Sequence, residues 1–344
     1  MASWTSQLWK QYDPINRIIF PGASLKSTYD DKGKPFVGEM QVRDVVYKSI
    51  LVSLPVLIPG GMCAPPLRVS CPVLMVMRTD SRNKNTCRAR GTVIYTHGNA
   101  TDIGGAAEEA KTMSRELECN VVVPEYPGYG TAGGYATEDT VDAVVHATIR
   151  LMIETLGTPA NRVILYGRSV GTGPAAAAAA RLSRGEHGPP AGLVLQSPFT
   201  SIQDFARDKA GAMAYALVSE RWPTKSNLCE VNCPILLIHG DKDEVVPFSH
   251  SKKLRGSRRR YKMSCDMHVQ KGATHNLFDF YGDVVDPIMA FLKRHGVAPW
   301  SLGGKTPATE MGLNISDVAR RVEAAGPGEA YEYPFALAVV ESAE

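Results

Sequence analysis

The segment Tyr166-Gly167-Arg168-Ser169-Val170-Gly171 constrains this chain more tightly than any other. It is a G-x-S-x-G pattern placed between two opposite kinds of local sequence. Ahead of it, Arg162-Val163-Ile164-Leu165-Tyr166 is short, β-branched and apolar, the pattern of a buried strand. Behind it come Gly173 and the alanine run Ala175 to Ala180, strong helix formers. A chain that passes from strand directly into helix holds the intervening serine in a strained backbone conformation, with its hydroxyl projecting from the end of the sheet. Side chains two residues to either side would collide across such a turn. Gly167 and Gly171 are the residues that avoid the collision.

The same alternation of strand-like and helix-like segments extends from about residue 41 to 297. It predicts an α/β fold with a mostly parallel central sheet covered by helices. Gln41 to Leu54 and Leu67 to Arg78 read as opening strands, separated by a proline-rich stretch, Pro55 to Pro66, too interrupted for a regular element. Strand Thr92 to Thr96, helix Ala106 to Glu118, strand Asn120 to Pro124 and helix Glu138 to Leu156 lead to the serine turn. Strands Leu193 to Gln196, Ile235 to Ile238 and Met263 to Gln270 follow, and Val284 to His295 reads as a closing helix. The organisation is therefore an N-terminal extension (1–40), an α/β domain (41–300) and a Gly/Pro/Ala-rich tail (301–344) with one short helix near Ile315 to Glu323.

With 344 residues, 44% of them hydrophobic and 21% charged, the chain has the composition of a soluble globular protein. A net charge of +3 gives no pull toward nucleic acid, and the tail is acidic, with Lys305, Arg320 and Arg321 against seven Asp and Glu. The seven cysteines are odd in number and scattered, which argues for a reducing compartment rather than a disulfide framework. Cys229 and Cys233 have no second ligand pair nearby, so no metal or other cofactor is expected. No apolar run reaches the roughly 18 residues of a membrane span, and no signal-peptide pattern opens the chain. A cytoplasmic protein with peripheral membrane contact is the expectation.

A serine hydroxyl is a poor nucleophile near neutral pH and needs a base, which in turn needs an orienting carboxylate. Two later strand ends supply them in the order Ser, Asp, His. Pro234 to Asp243 reads as a buried strand ending in a polar turn, with Asp243 just beyond it and Asp241 as the rival carboxylate. Val269 to His275 reads as a strand leading into a glycine-containing loop tipped by His275. Of the eight histidines, only His275 lies beyond Asp243 at such an exit. Negative charge on a substrate oxygen needs two backbone donors. One is the amide of Val170, which follows the serine; the other is the amide of Asn99, or its neighbour Ala100, in the loop after Val93-Ile94-Tyr95-Thr96. His97 precedes the serine in the chain and is read as structural.

The ordered set His97-Gly98-Asn99-Ala100, Tyr126-Pro127-Gly128-Tyr129-Gly130, Gly167-Arg168-Ser169-Val170-Gly171, Ser197-Pro198, His239-Gly240-Asp241-Lys242-Asp243, Phe248-Ser249-His250 and Gly272-Ala273-Thr274-His275-Asn276 resembles the α/β-hydrolase-domain-containing protein 17 family. The resemblance spans residues 40 to 296 or so. It implies an α/β-hydrolase fold with a small cap, and a serine hydrolase that removes palmitate from cysteines of membrane-bound proteins. It carries nucleophile, acid and base onto Ser169, Asp243 and His275. Its partners would be a lipidated protein or a lipid ester. The same machinery serves a carboxylesterase or a monoacylglycerol or lysophospholipid lipase, and a non-catalytic binding protein on this fold is a third reading. Family members begin with an acylated cysteine cluster. Here no cysteine precedes Cys63, and Ala2 after Met1 excludes N-myristoylation.

Trp4, Leu8, Tyr12 and Ile15, with Trp9 and then Ile18-Ile19-Phe20, form an amphipathic pattern that either lies on a bilayer or packs on the body. The basic run Lys252, Lys253, Arg255, Arg258, Arg259, Arg260 and Lys262 is either a solvated face or a contact for anionic lipid. Residues 199–233 leave room only for a small cap, whose Ile202, Phe205, Met213, Tyr215, Leu217 and Trp222 either line an acyl groove or cover the sheet.

Overall fold

The computed structural model describes residues 18–58, 67–80, 89–260 and 263–297, together with Val318, Arg320, Arg321, Val322 and Ala324. Among the described residues, nine strands form one sheet in the order β1-β2-β3-β5-β4-β6-β7-β8-β9. β1 (Gly38–Val42), β2 (Val45–Ile58) and β3 (Leu67–Asp80) form an antiparallel meander, and β3 pairs antiparallel with β5 (Asn120–Pro124). From β5 onward every pairing is parallel: β4 (Thr92–Thr96), β6 (Val163–Arg168), β7 (Gly192–Gln196), β8 (Ile235–Gly240) and β9 (Asp266–Gln270). The inner strands β4, β5, β7 and β8 are buried at every residue. Their unbroken apolar runs, without the alternation of a half-exposed strand, follow from cover on both faces. Two cores result, one on each face of the sheet.

Helix ends are set locally. α1 (Ile103–Glu116) starts at Asp102, whose carboxylate accepts from the Gly105 amide at 2.9 Å. α2 (Glu138–Arg150) starts from a reciprocal Thr137–Thr140 capping box and runs on through a π-turn at Leu151–Thr155. α3 (Thr172–Arg184) follows the serine turn, and its Ala175, Ala176, Ala179 and Ala180 are buried. Side chains this small bring the helix axis close to the sheet. α4 (Ile202–Leu217) is capped by Ser201, and α5 (Thr224–Glu230), α6 (Ser249–Arg260) and α7 (Asp286–Arg294) follow.

Several boundaries differ from the sequence reading. The expected strand Gln41 to Leu54 is two strands, reversed at Arg43, which holds φ 55°. Pro55 to Ile58 belongs to β2 and pairs with β3. β1 ends opposite Ser49, so among the described residues this part of β2 is a sheet edge, where proline's missing donor is tolerated. The last strand begins at Asp266 and not at Met263. In the tail, Val318, Arg320, Arg321, Val322 and Ala324 are helical, and Val318 and Val322, one turn apart, are buried in the main core. The amphipathic residues Trp4 to Ile15 lie outside the described residues.

Candidate active site

Four of the parallel strands, β4, β6, β8 and β9, bring their carboxyl ends to one edge of the sheet, where open α/β sheets form their clefts. Ser169 stands at the end of β6, with φ 53°, a left-handed conformation that costs a non-glycine residue strain. The turn is tight on both flanks. A Cβ on Gly167 would fall 2.5 Å from the Gly171 carbonyl oxygen, and one on Gly171 would fall 2.1 Å from that of Thr96. Thr96 Oγ1 also donates to the Gly171 carbonyl at 2.7 Å, bolting β4 to the turn.

Three side chains from distant parts of the chain meet here. His275 Nε2 lies 3.0 Å from Ser169 Oγ, and His275 Nδ1 lies 2.8 Å from Asp243 Oδ2. Asp243 Oδ1 accepts from the amides of Val245 and Val246 at 2.9 and 2.8 Å. Burial by itself would raise the Asp243 pKa, but hydrogen bonds from His239 and His275 and from the Val246 amide outweigh it and hold the carboxyl well below the usual range. Asp243 is therefore an anion. Nδ1 of His275 then carries the proton donated to it, and Nε2 accepts from the serine hydroxyl. The rival Asp241 turns elsewhere: its Oδ1 accepts from the Gly272 amide at 2.7 Å and ties the two loops together.

Asn99 and Val170 line one cavity with Ser169. Val170 sits in the first turn leading into α3, where backbone amides have no intrahelical partner. The Asn99 loop lies against the serine: a Cβ on Gly98 would be 4.0 Å from Ser169 Cβ. His97 is buried beneath this loop, stacked on Tyr126, with Nδ1 2.8 Å from the Gly98 carbonyl and Nε2 3.1 Å from Glu125 Oε1. N–H and C=O point in opposite directions across a trans peptide, so the contact of His97 with the Gly98 carbonyl turns the Asn99 amide away from His97.

The cavity is about 270 Å³ and largely apolar, lined by Ile18, Ile19, Phe199, Ile202, Phe205, Ala214, Val218, Val245 and Val246, among others. Its roof is α4, which is broken at Gly211 (φ 82°) so that Gln203 reaches back to the Tyr215 carbonyl at 3.0 Å. Of the six cap residues, which the sequence left as groove lining or sheet cover, Ile202 and Phe205 line the cavity. Met213 and Leu217 point outward, 77% and 72% exposed, and Tyr215 stacks under Arg207. Trp222 is not a groove residue. It is 1% exposed, donates from Nε1 to Asp142 at 2.8 Å and packs where a Cβ on Gly173 would lie 2.5 Å from its ring.

Sequence reasoning missed several partners. Glu125, fully buried, accepts from Tyr29 and from the Ile103 and Tyr126 amides besides meeting His97. His239 Nδ1 meets Ser251 Oγ, and its Nε2 faces the Val246 carbonyl and, at 3.3 Å, Asp243. Arg168 reaches Asn276 at 3.2 Å and lies over the Phe278 ring, linking the serine turn to the His275 loop. The only signal for Glu125 and His239 was a polar residue at the carboxyl end of an apolar strand. The basic run is divided: on α6, Lys252, Lys253, Arg259 and Arg260 are exposed, whereas Arg258 is buried and donates to the Leu228 and Val231 carbonyls. Lys262 lies outside the described residues. Among those residues no helix is long and apolar enough to cross a membrane, and no His, Cys, Asp and Glu cluster suits a metal ion.

Comparison with known proteins agrees with this architecture. A family profile of the α/β-hydrolase fold matches residues 93–228, and a phospholipase/carboxylesterase profile matches residues 193–295. The chain is 30% identical over 247 residues to the α/β-hydrolase-domain-containing protein aho-3 of Caenorhabditis elegans, covering 69% of this chain and 71% of the relative. It is 29% identical over 224 residues to the human α/β-hydrolase-domain-containing protein 17B, covering 63% of this chain and 74% of that protein. An α/β hydrolase from Vibrio vulnificus superposes with a TM-score of 0.54 at 16% identity, over 72% of this chain and 81% of the other. An esterase from Pyrococcus furiosus does so with a TM-score of 0.52 at 17% identity, over 78% and 98%.

Proposed function

Because this chain belongs to the α/β-hydrolase-domain-containing proteins, in the group that holds protein 17B, we propose that it is a serine hydrolase that cleaves fatty-acyl thioesters on protein cysteines. The observation that carries this reading is the Ser169–His275–Asp243 chain of contacts opening onto an apolar cavity.

Ser169 Oγ adds to the thioester carbonyl carbon as its proton passes to His275 Nε2. Asp243 keeps the imidazole in the required tautomer and stabilises the imidazolium. The oxyanion lies between the Asn99 and Val170 amides. When the C–S bond breaks, the proton on Nε2 goes to the departing cysteine sulfur. Water then adds to the acyl-enzyme, giving its proton to the same nitrogen, and the fatty acid leaves as the C–Oγ bond breaks and Ser169 regains its proton. The apolar cavity suits the alkyl chain, whose burial contributes about 0.8 kcal/mol per methylene.

A fluorophosphonate probe should label the wild-type protein and spare Ser169→Ala; equal labelling of both refutes the reading. The match of residues 193–295 to the phospholipase/carboxylesterase profile favours a second reading, an oxygen-ester hydrolase with the same machinery. Turnover of a palmitoylated-cysteine peptide measured beside a monoacylglycerol separates the two: preference for the peptide supports the thioesterase, and preference for the glyceride replaces it.

A further inference from the structure

The segment ahead of β1 does more than wall the cavity. Ile19 to Gly22 runs across the outside of the loop that carries Asn99, some 80 residues later in the chain. Asn99 Nδ2 donates to the Ile19 carbonyl at 3.1 Å. The Asn99 carbonyl accepts from the Gly22 amide at 3.0 Å and from the Tyr129 hydroxyl at 3.0 Å. The approach is so close that a Cβ on Gly22 would stand 2.4 Å from the Asn99 oxygen and 2.1 Å from the Tyr129 ring. Farther along, the Thr28 amide donates to Asp102 at 2.7 Å, and Tyr29 donates to Glu125 at 2.9 Å. Asp102 caps α1, and Glu125 faces His97, so the strap holds the loop at both of its ends.

We propose that this strap, through Ile19 and Gly22 and together with Tyr129 of the loop after β5, positions the oxyanion-binding amide of Asn99. The inference rests on the serine-hydrolase reading above and adds a role to a segment outside the α/β repeat. With the Gly98 carbonyl held by His97, and the Asn99 carbonyl and side chain held by the strap and Tyr129, neither flanking peptide of Asn99 can rotate. Its N–H is thereby set before substrate arrives. A preorganised donor is what stabilises charge in a transition state, and its displacement weakens the transition state more than the ground state. Gly22, Ile19 and Tyr129 are positioning residues, since none of them touches the reacting atoms.

Gly22→Ala forces the contact apart, Tyr129→Phe removes one hydrogen bond at unchanged ring volume, and Leu25→Ala, on the exposed side of the strap, is the control. For a soluble short-chain thioester, Gly22→Ala should lower kcat by about tenfold to a hundredfold with KM within about twofold, because a misaimed donor costs rate and not ground-state binding. Tyr129→Phe should shift kcat in the same direction by less, and Leu25→Ala should match the wild type. An aryl boronic acid, whose tetrahedral adduct places an oxygen in the same site, should bind each variant more weakly in proportion to its loss of kcat. Should Gly22→Ala not fold, Tyr129→Phe decides. Unchanged kcat in the folded variants, or a rise in KM alone, or boronate affinity that does not follow kcat, overturns the proposal. Turnover surviving in Ser169→Ala would instead overturn the underlying enzyme reading, leaving the two failures distinguishable.

Discussion

The floor and the roof of the cavity are built on opposite terms. The floor is the carboxyl edge of buried parallel strands, and its polar groups there are held by named partners: Asp243 by two amides and two imidazoles, Glu125 by four groups, Thr96 by the serine turn. The roof is α4, in which Ile202 is the one buried residue, the helix breaks at Gly211, and Met213 and Leu217 face solvent. Reacting atoms tolerate little misplacement, so they are fixed by backbone that the sheet over-determines. Under the proposed function, an alkyl chain is recognised by area without directional bonds, so a loosely attached helix suffices and leaves room for movement.

The sharpest way to break this contrast is to remove floor groups singly. Ser169→Ala and His275→Ala should each reduce kcat by about 10³-fold or more. Asp243→Asn should do nearly the same, while Asp241→Asn, which alters only a loop tie, should stay within about threefold; steady-state kinetics on one soluble thioester reads all four. Equal effects at the two aspartates would mean that the floor does not distinguish Asp243 from Asp241.

Trp222 joins the two regions, since it plugs the notch over Gly173 and anchors the chain leaving the roof to Asp142. Trp222→Ala should cost about 3–5 kcal/mol in chemical denaturation, the range for large aromatic truncations in cores. A roof substitution should behave differently. Phe205→Ala should raise KM for long-chain substrates by roughly tenfold and leave kcat on a short-chain substrate nearly unchanged, as about 1–2 kcal/mol of apolar contact is lost. Met213→Ala, which points away from the cavity, should change neither.

The joint between floor and roof should also respond to acid. His250 of α6 is fully buried; its Nδ1 accepts from the Thr200 amide at 3.1 Å, and its Nε2 lies 3.3 Å from Asp208 of α4 without a hydrogen bond. Burial lowers the His250 pKa from 6.5 to about 4, with Lys253 adding to the shift and Asp208 opposing it. The unfolded chain therefore takes up a proton below pH 6.5 that the folded one refuses until about pH 4. Stability should fall through that window as pH falls, by roughly 1 kcal/mol per pH unit, and His250→Gln should flatten the slope in thermal melts taken from pH 7 to 4.5. A melt series insensitive to the substitution would remove His250 from the joint.

Legibility followed the same division. The inner parallel strands were readable because a strand covered on both faces must be apolar along its middle, and the serine turn because two glycines and a change of period mark it. Asp243 and His275 were readable as polar residues just past such strands, in a fixed order. The proline at Pro55 misled, because tolerance of a missing donor depends on whether a neighbouring strand is present at that residue. The cap residues left two readings open for a similar reason. Side chains spaced along one helix differ in direction once Gly211 folds it back, and Trp222 fills a notch made by a glycine 49 positions earlier.

Taken alone, the sequence determined which elements form and which of their ends carry reactive groups, because propensity, periodicity and turn chemistry act over a few residues. Tertiary structure alone decided which partners those groups meet. It paired Glu125 with His97 and laid Ile19 and Gly22 across Asn99. Hydrogen bonds and close contacts between residues far apart in the chain have no local pattern. They exist only once the sheet has brought its strand ends together.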